Sequence, residues 1–169
     1  MPMHLGKTLL IANPVSQNGK GARAAARAEE LLRRSLGDGL HAVLTESEGH
    51  AVELAARAGG FDAVVVLGGD GIVHEAANGL MRLPGPDRPA LGLIPVGSGN
   101  DARTLGMAGD VERACAQLLS AQAHPADLGV VSGCLRRVAL FGPMRPSPST
   151  RWSGASAGPQ ARSSMRRQA

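Results

Sequence analysis

The run AVVVL at residues 63–67 constrains the fold more than any other feature of this sequence. Its residues are all apolar and three of them are β-branched, which is typical of a strand buried on both faces. Strands of that kind belong to parallel sheets that helices cover on both sides. Gly68 follows the run at once, so we expect the strand to end in a tight turn.

Apolar runs of strand length alternate with helical segments through residues 1–133. In the first helical segment Glu29 and Arg33 stand at i,i+4 spacing, which stabilises a helix. Further strands are predicted at residues 7–13, 40–45, 91–96 and 127–131, and helices at 21–36, 50–58, 72–81 and 111–122. The predicted fold is α/β, a parallel sheet with helices on both faces, where ligands bind at the carboxyl ends of the strands.

Length and composition exclude several other classes of protein. A chain of 169 residues is most simply one domain, and it holds only two cysteines, Cys115 and Cys134, without CxxC spacing. No apolar run reaches the length of about 18 residues that a membrane span requires. The first seven residues lack the pattern of a signal peptide. The cytoplasm is therefore the predicted compartment.

Charge divides the chain into two parts at about residue 133. Residues 134–169 hold seven of the 18 basic residues and none of the 14 acids, so residues 1–133 carry a net charge of −3. A negative folded part argues against nucleic-acid binding. Residues 134–169 are also rich in Ser, Pro and Gly, which predicts a disordered basic tail. An alternative is that this segment is out of frame or truncated sequence.

The sequence GGDG at residues 68–71 follows the predicted strand 63–67 directly. A structural turn needs one or two glycines, so a third suggests a ligand close to the backbone. Asp70 within this turn could orient a metal-bound water or accept a hydroxyl proton. Glu75 and Asn78, in the following helix, are candidates to face the same cleft.

Two other glycine-rich loops also follow predicted strands. The segment NPVSQNGKG at residues 13–21 opens a helix, where backbone N–H groups favour anions and Lys20 adds a positive charge. It matches neither GxxxxGK[ST] nor GxGxxG, and an ordinary strand-to-helix turn would explain it equally well. The segment PVGSGND at residues 95–101 pairs two glycines with residues able to cap a helix.

These three loops follow strands one, three and four of the predicted sheet and should line the same edge. Together they predict a broad nucleotide site, and the acidic residues among them favour a magnesium–phosphate ligand over a bare anion. No two histidines have metal-ligand spacing on one helix face.

The blocks NPVSQNGKG, GGDGIVHEAANGL and LIPVGSGNDARTLGM resemble the three signature blocks of the diacylglycerol kinase catalytic family. That family includes bacterial lipid kinases and the sphingosine and ceramide kinases, and its patterns are approximately NPxSGxGK, GGDGTxxEVxNGL and PxGTGNDxARxLG. The resemblance covers residues 7–133, and the last two blocks are the most specific.

The resemblance implies ATP- and Mg²⁺-dependent transfer of a phosphoryl group to a lipid hydroxyl, such as that of diacylglycerol, in phospholipid biosynthesis at a membrane surface. It also implies a nucleotide-binding domain of the NAD-kinase and phosphofructokinase type. The family's second, β-rich domain is missing from the predicted organisation. Asp70 is the catalytic candidate. The residues expected to contact the nucleotide are Asn13, Pro14, Ser16, Lys20, Thr45, Gly68, Gly69, Asp70, Gly71, Glu75, Gly97, Ser98, Gly99, Asn100 and Asp101.

Three residues depart from the family patterns. Gln17 replaces a glycine and is expected to crowd the first loop, whereas Ser98 replaces Thr and keeps its hydroxyl. Ile72 replaces the Thr of GGDGT and removes a hydroxyl from the phosphate region, which predicts impaired activity. Two alternatives stay open: an NAD-kinase-like small-molecule kinase, against which the third block argues, and a non-catalytic nucleotide-binding remnant.

Overall fold

The computed structural model describes residues 5–16, 19–96, 110–124, 128–130 and 138–139. Strands and helices alternate through the main part of the chain, and every helix predicted from the sequence is present. The elements are β1 (Thr8–Ala12), α1 (Lys20–Leu36), β2 (Leu40–Leu44), α2 (His50–Ala56), β3 (Ala63–Gly68), α3 (Asp70–Leu80), β4 (Ala90–Pro95), α4 (Val111–Ser120), β5 (Gly129–Val130) and β6 (Val138–Ala139).

Four strands form one parallel sheet in the order β2-β1-β3-β4. Thr8 of β1 pairs with Leu40 of β2 on one side and with Ala63 of β3 on the other. The chain runs outward from β1 to β2 and then returns to β3 across β1. The strand order therefore reverses between β1 and β3, and ligands of open α/β sheets bind at such a point, beyond the carboxyl ends of the strands.

Helices cover both faces of this sheet, which confirms the predicted fold class. Successive residues of β3 point to opposite faces, because the side-chain period of a strand is two. Val65 and Leu67 pack in one core cluster with residues of α1 and α4. Val64 and Val66 pack in a second cluster with residues of α2 and α3. All six residues of β3 are buried, as the apolar run predicts.

The strand predicted at residues 127–131 does not extend the parallel sheet. Within the described residues it is reduced to Gly129–Val130, which pairs antiparallel with Val138–Ala139. Because β6 follows β5 closely along the chain, pairing the two strands closes only a short loop. This costs less entropy than a long crossover from β5 to the main sheet. The remainder of residues 134–169 lies outside the described residues, so the predicted disordered tail stays a prediction.

One exposed ion pair among the described residues joins α1 to α4, and a second pair within α1 shares its arginine. Arg27 Nε donates to Glu112 Oε1 at 2.8 Å, and Arg27 Nη1 donates to Glu30 Oε2 at 2.9 Å. These hydrogen bonds lower the pKa of both carboxyl groups. The predicted Glu29–Arg33 pair is also present, at 2.7 Å. Pairs this exposed contribute little to stability, so the two core clusters hold the helices in place.

Helix α3 packs tightly against α2 at Gly79, which is buried. A Cβ atom there would overlap the carbonyl oxygen of Val52 and lie 2.7 Å from Ala55 Cβ. Because one obstacle is backbone, the two helices would have to separate to admit a methyl group. The packing of α2 against α3 therefore requires glycine at this position.

We expect Gly79→Ala to destabilise the fold, and Gly71→Ala provides the matched control in the same helix. A Cβ at Gly71 would meet nothing within 4 Å. Both variants gain helix propensity, so the difference between them isolates the clash, which should cost about 1–3 kcal/mol. Urea unfolding of the two variants measures this difference, and equal stabilities would contradict the packing.

Burial also affects the Cys115 thiol on the inner face of α4. Removal from water raises its pKa from 9.0 to about 11. In the unfolded chain the thiol ionises first, so the free energy of unfolding contributed by this group is fully present below pH 9.0 and is lost as the pH rises toward about 11.

We therefore expect Cys115→Ala to remove an alkaline loss of stability. Both chains should carry Cys134→Ser, so that Cys115 is the one cysteine that differs. The test is urea unfolding at about pH 8 and about pH 10, which lie on either side of the pKa of the unfolded thiol. An equal change of stability with pH in the two proteins would show that the thiol is not buried as described.

Candidate functional site

The loop that follows β1 is folded by its own polar side chains. The N–H of Asn13 donates to Leu67 O of β3 at 3.1 Å and ties the loop to the centre of the sheet. Asn13 Oδ1 accepts the N–H of Val15 at 3.0 Å, and Asn13 O accepts the hydroxyl of Ser16 at 2.9 Å. Two predicted nucleotide contacts, Asn13 and Ser16, thus shape this loop from within.

Gly21 is buried where this loop enters α1. A Cβ atom at Gly21 would overlap both Asn13 O and Ser16 Oγ, so the glycine is required by packing. Its N–H donates to Ser16 O at 3.0 Å, and the next N–H, of Ala22, donates to Pro14 O at 3.1 Å. Two of the amide donors expected to face an anion are therefore occupied by the loop.

Lys20 stands at the first position of α1, is exposed, and has no ion-pair partner among the residues that the structure describes. Gly19 precedes it with a φ of 88°, in the left-handed region that glycine adopts most easily. Gln17 and Asn18 lie outside the described residues, and with them the crowding expected from Gln17.

The turn after β3 differs from the first loop because the described residues offer its amide donors no acceptor. Helix α3 begins at Asp70 and has no side-chain cap. The N–H groups of Asp70, Gly71 and Ile72 find no hydrogen-bond acceptor among the described residues. By contrast, α4 is capped by Asp110, whose carboxylate accepts the N–H of Arg113 at 2.7 Å.

The three glycines of this turn have different explanations. Gly68 is buried with a φ of 156°, and a Cβ atom there would lie 2.7 Å from Ile72 Cγ2. Gly69 and Gly71 are exposed, and a Cβ atom on either would meet nothing within 4 Å. Neither of the last two has a φ that favours glycine. Packing thus explains why residue 68 is glycine. It does not explain Gly69 and Gly71, which face the solvent.

Asp70 is exposed in the first turn of α3, and Glu75 is half-buried in the second. Neither carboxylate forms an ion pair within the part of the chain that the structure describes. In that same part, no group of three or more His, Cys, Asp or Glu side chains could hold a metal ion.

Thr45 follows β2 and lies beside the end of β1. Its N–H donates to Ala12 O at 2.8 Å, and its hydroxyl donates to the same oxygen at 3.4 Å. The structure thus brings the predicted residue Thr45 to the carboxyl edge of the sheet, one strand away from Asn13.

The third loop begins at the same edge. The N–H of Val96 donates to Gly68 O at 3.0 Å, which places the end of β4 directly beside the turn after β3. The predicted site residues of this loop lie outside the described residues: Gly97, Ser98, Gly99, Asn100 and Asp101.

Asn78 was predicted to be a candidate for the cleft, but its amide is engaged with its own helix. Asn78 Nδ2 donates to His74 O at 2.8 Å and lies 3.1 Å from His74 Nε2. The histidine is half-buried.

The sequence analysis did not predict the packing roles of two residues of the site, Ile72 and Gly21. Ile72 was considered only for the hydroxyl that it lacks, yet its side chain is buried in the second core cluster. Gly21 was read as part of a generic turn. The sequence signals for these contacts are weak. They are the i,i+4 spacing of Gly68 and Ile72 and the spacing between Asn13 and Gly21.

A small cavity of about 120 Å³ lies apart from the turn after β3, between α1 and β2. Its lining is almost wholly apolar, with Ala25 and Ala42 on facing elements and Glu29 as the ionisable member. A lining of this kind offers few donors to a phosphate, so the carboxyl edge of β1 and β3 is the stronger candidate for a polar ligand.

Comparisons with known proteins identify the family of this chain. Residues 7–131 match the model of the diacylglycerol kinase catalytic domain. The chain is 44% identical over 75 residues to the diacylglycerol kinase of Bacillus subtilis (strain 168), a match that covers 43% of this chain and 24% of that protein. It is 37% identical over 132 residues to the "Probable lipid kinase YegS-like" of Chromohalobacter salexigens, covering 76% of this chain and 41% of that protein.

Solved structures of diacylglycerol kinases resemble the fold as well. A diacylglycerol kinase of Bacillus anthracis str. Sterne superposes with a TM-score of 0.66 at 32% identity, over 75% of this chain and 46% of that one. The chain spans less than half the length of the relatives that it matches. The match of residues 7–131 takes in β1 to β5 and all three predicted loops. The chain therefore belongs to the diacylglycerol kinase catalytic-domain family.

Proposed function

We propose that this chain provides the nucleotide-binding part of an ATP-dependent lipid kinase, which transfers a phosphoryl group to a lipid hydroxyl such as that of diacylglycerol. One observation carries the proposal. At the point where the strand order reverses, α3 presents the amide groups of Asp70, Gly71 and Ile72, which have no acceptor among the described residues, next to the exposed carboxylate of Asp70. Family membership supports the same reading.

The start of α3 suits the phosphates of a nucleotide. Unpaired N–H groups at a helix N-terminus bind anions, and the helix dipole adds to this attraction. Gly69 and Gly71 leave the backbone bare on the open side, so a phosphate can approach the amide groups closely. Lys20, at the start of α1, would add a positive charge from the neighbouring loop.

The carboxylate of Asp70 would repel a phosphate unless a cation lies between them. Mg²⁺ is usually held by one or two carboxylates together with substrate phosphates and water, so a single carboxylate fits that requirement. When bound, the ion would offset the negative charge on the phosphates. Asp70 would then hold the metal or accept the proton of the attacking hydroxyl.

The remaining predicted contacts are assigned roles by position. Asn13, Pro14 and Ser16 would form one wall of the nucleotide site, because their loop is anchored to β3. Thr45 would bound it at the end of β2, and Glu75 would face it from the second turn of α3. The third wall is proposed to come from Gly97, Ser98, Gly99, Asn100 and Asp101.

A lipid acceptor is proposed because the matched relatives are named as diacylglycerol and lipid kinases. Within the described residues, no helix is both long and apolar enough to cross a bilayer. We propose that the protein works in the cytoplasm and meets its substrate as a peripheral protein at the membrane surface. The negative charge of residues 1–133 supports an acceptor other than nucleic acid.

We expect Gly71→Ala to weaken Mg·ATP binding without lowering stability. The added methyl group has free space in the protein but would occupy the side on which the phosphates lie. Affinity should fall by about tenfold or more, as misplacement at a preorganised site commonly costs.

Gly85→Ala is the matched control for this variant, because a Cβ there also meets nothing within 4 Å and the residue precedes β4, at the opposite edge of the sheet. Calorimetric titration with Mg·ATP measures both variants. Unchanged affinity in Gly71→Ala would exclude the start of α3 as the phosphate site.

We expect Asp70→Asn to abolish the Mg²⁺ dependence of nucleotide binding, because the amide lacks the charge that attracts the ion. Any phosphoryl transfer should fall by about 10²-fold or more, the usual contribution of such a group. Asp87→Asn, in an exposed turn before β4, is the matched control and should change neither quantity.

The assay uses labelled ATP with diacylglycerol vesicles, and with NAD as the competing acceptor. Labelled NAD would indicate the NAD-kinase-like alternative. Mg·ATP binding without transfer to either acceptor would favour a non-catalytic nucleotide-binding protein. Parent and Asp70→Asn chains that respond alike to Mg²⁺ would contradict the role given to Asp70.

A further inference from the structure

We infer that Ile72 is a positioning residue, whose Cγ2 methyl group closes one side of Gly68 and thereby fixes the turn that carries Asp70. The inference rests on the proposed function, because it concerns how the same nucleotide site is held in shape. It assigns a role to a side chain that touches no ligand and lies in the core.

The contact itself is visible in the space around Gly68. A Cβ atom at Gly68 would lie 2.7 Å from Ile72 Cγ2 and 3.7 Å from Ile72 Cβ. The Ile72 methyl group thus occupies the volume that a side chain at residue 68 would need. Ile72 is only 6% exposed and packs with Val66 and Ala76 in the second core cluster.

The other sides of Gly68 are held by the ends of the neighbouring strands. On the β4 side, Gly68 O accepts the N–H of Val96 at 3.0 Å. On the β1 side, Asn13 Cβ would lie 3.7 Å from a Cβ at Gly68, and the Asn13 N–H is bonded to Leu67 O. Ile72 is the neighbour that belongs to α3, so it couples the strand end to the helix whose amide groups face the site.

The chemistry of this contact depends on branching at Cβ. A β-branched residue in a helix has one strongly preferred χ1 rotamer, so the position of its methyl group is defined. Ile, Val and Thr all carry a second group on Cβ, whereas Leu branches one carbon later. The family pattern GGDGT has a β-branched residue at this position too. Ile72 lacks the hydroxyl of Thr but keeps the branch at Cβ next to Gly68.

Loss of the branch would remove the contact that α3 makes with Gly68, so the backbone that follows at Gly69 and Asp70 should shift. Displacements of about 1 Å are enough to cost a large factor in affinity or rate at a preorganised site. The packing of the Ile72 side chain in the core thus helps to set the position of the amide groups of Asp70, Gly71 and Ile72.

The test compares Ile72→Leu, Ile72→Val and Ile11→Leu in the 169-residue chain. Ile11 is fully buried in the same core cluster, so Ile11→Leu is the same isomeric change away from the turn. We expect Ile72→Leu to weaken Mg·ATP affinity by about tenfold, and the other two variants to stay within about twofold of the parent. Urea unfolding of each variant separates this effect from a loss of stability.

Equal affinities of Ile72→Leu and Ile11→Leu at similar stability would overturn the inference. A second readout needs no nucleotide: the backbone amide chemical shifts of Gly69 and Gly71. These should move in Ile72→Leu and stay in place in Ile72→Val and Ile11→Leu.

A parent chain that fails to bind Mg·ATP would contradict the proposed function, and the amide shifts would still decide the role of Ile72. Unchanged shifts in Ile72→Leu would then show that the methyl group does not hold the turn.

Discussion

The pairing of β1 with β3 is the interaction on which the rest of this structure depends. Five residues of each strand pair in register, from Thr8 with Ala63 to Ala12 with Leu67. The hydrogen bond from Asn13 N–H to Leu67 O continues this pairing one residue beyond β1. The loops after β1 and β3 leave the sheet at that point. Their separation is therefore set by the spacing of adjacent strands, about 4.8 Å, and not by loop conformation.

The glycines of the candidate site and of the α2–α3 contact divide into two groups with different explanations. Gly21, Gly68 and Gly79 are buried, and a side chain at any of them would clash with neighbouring atoms. They are explained by packing. Gly69 and Gly71 lie in open space with backbone angles that other residues adopt, so the fold alone gives no reason for them. In a glycine-rich turn, the functional signal comes from the glycines that packing leaves unexplained.

The sequence predicted the elements of the fold well because each of them is local. The apolar run of β3 and the spacing of Glu29 and Arg33 depend only on near neighbours, and both predictions are confirmed. Pairing partners are not local. Nothing in residues 127–131 indicates that Gly129–Val130 pairs antiparallel with Val138–Ala139, and no pattern predicts that Arg27 binds Glu112 across 85 positions.

That the loops after β1 and β3 meet at one edge was predictable, since the carboxyl ends of parallel strands share that edge. The contacts within the site were not, because they depend on which atoms meet. Periodicity indicates that Ile72 lies on a helix, but not that its methyl group fills the space beside Gly68. Likewise the sequence shows a Ser in the first loop, but not that Ser16 O takes the N–H of Gly21.

The most direct test of the account is an NMR titration of the chain with Mg²⁺ and a non-hydrolysable ATP analogue, followed through backbone amide shifts. The amide groups of Asp70, Gly71 and Ile72 should shift most, because in the proposed site they bind the phosphates directly. Shifts concentrated in the cavity between α1 and β2, with the start of α3 unaffected, would contradict it.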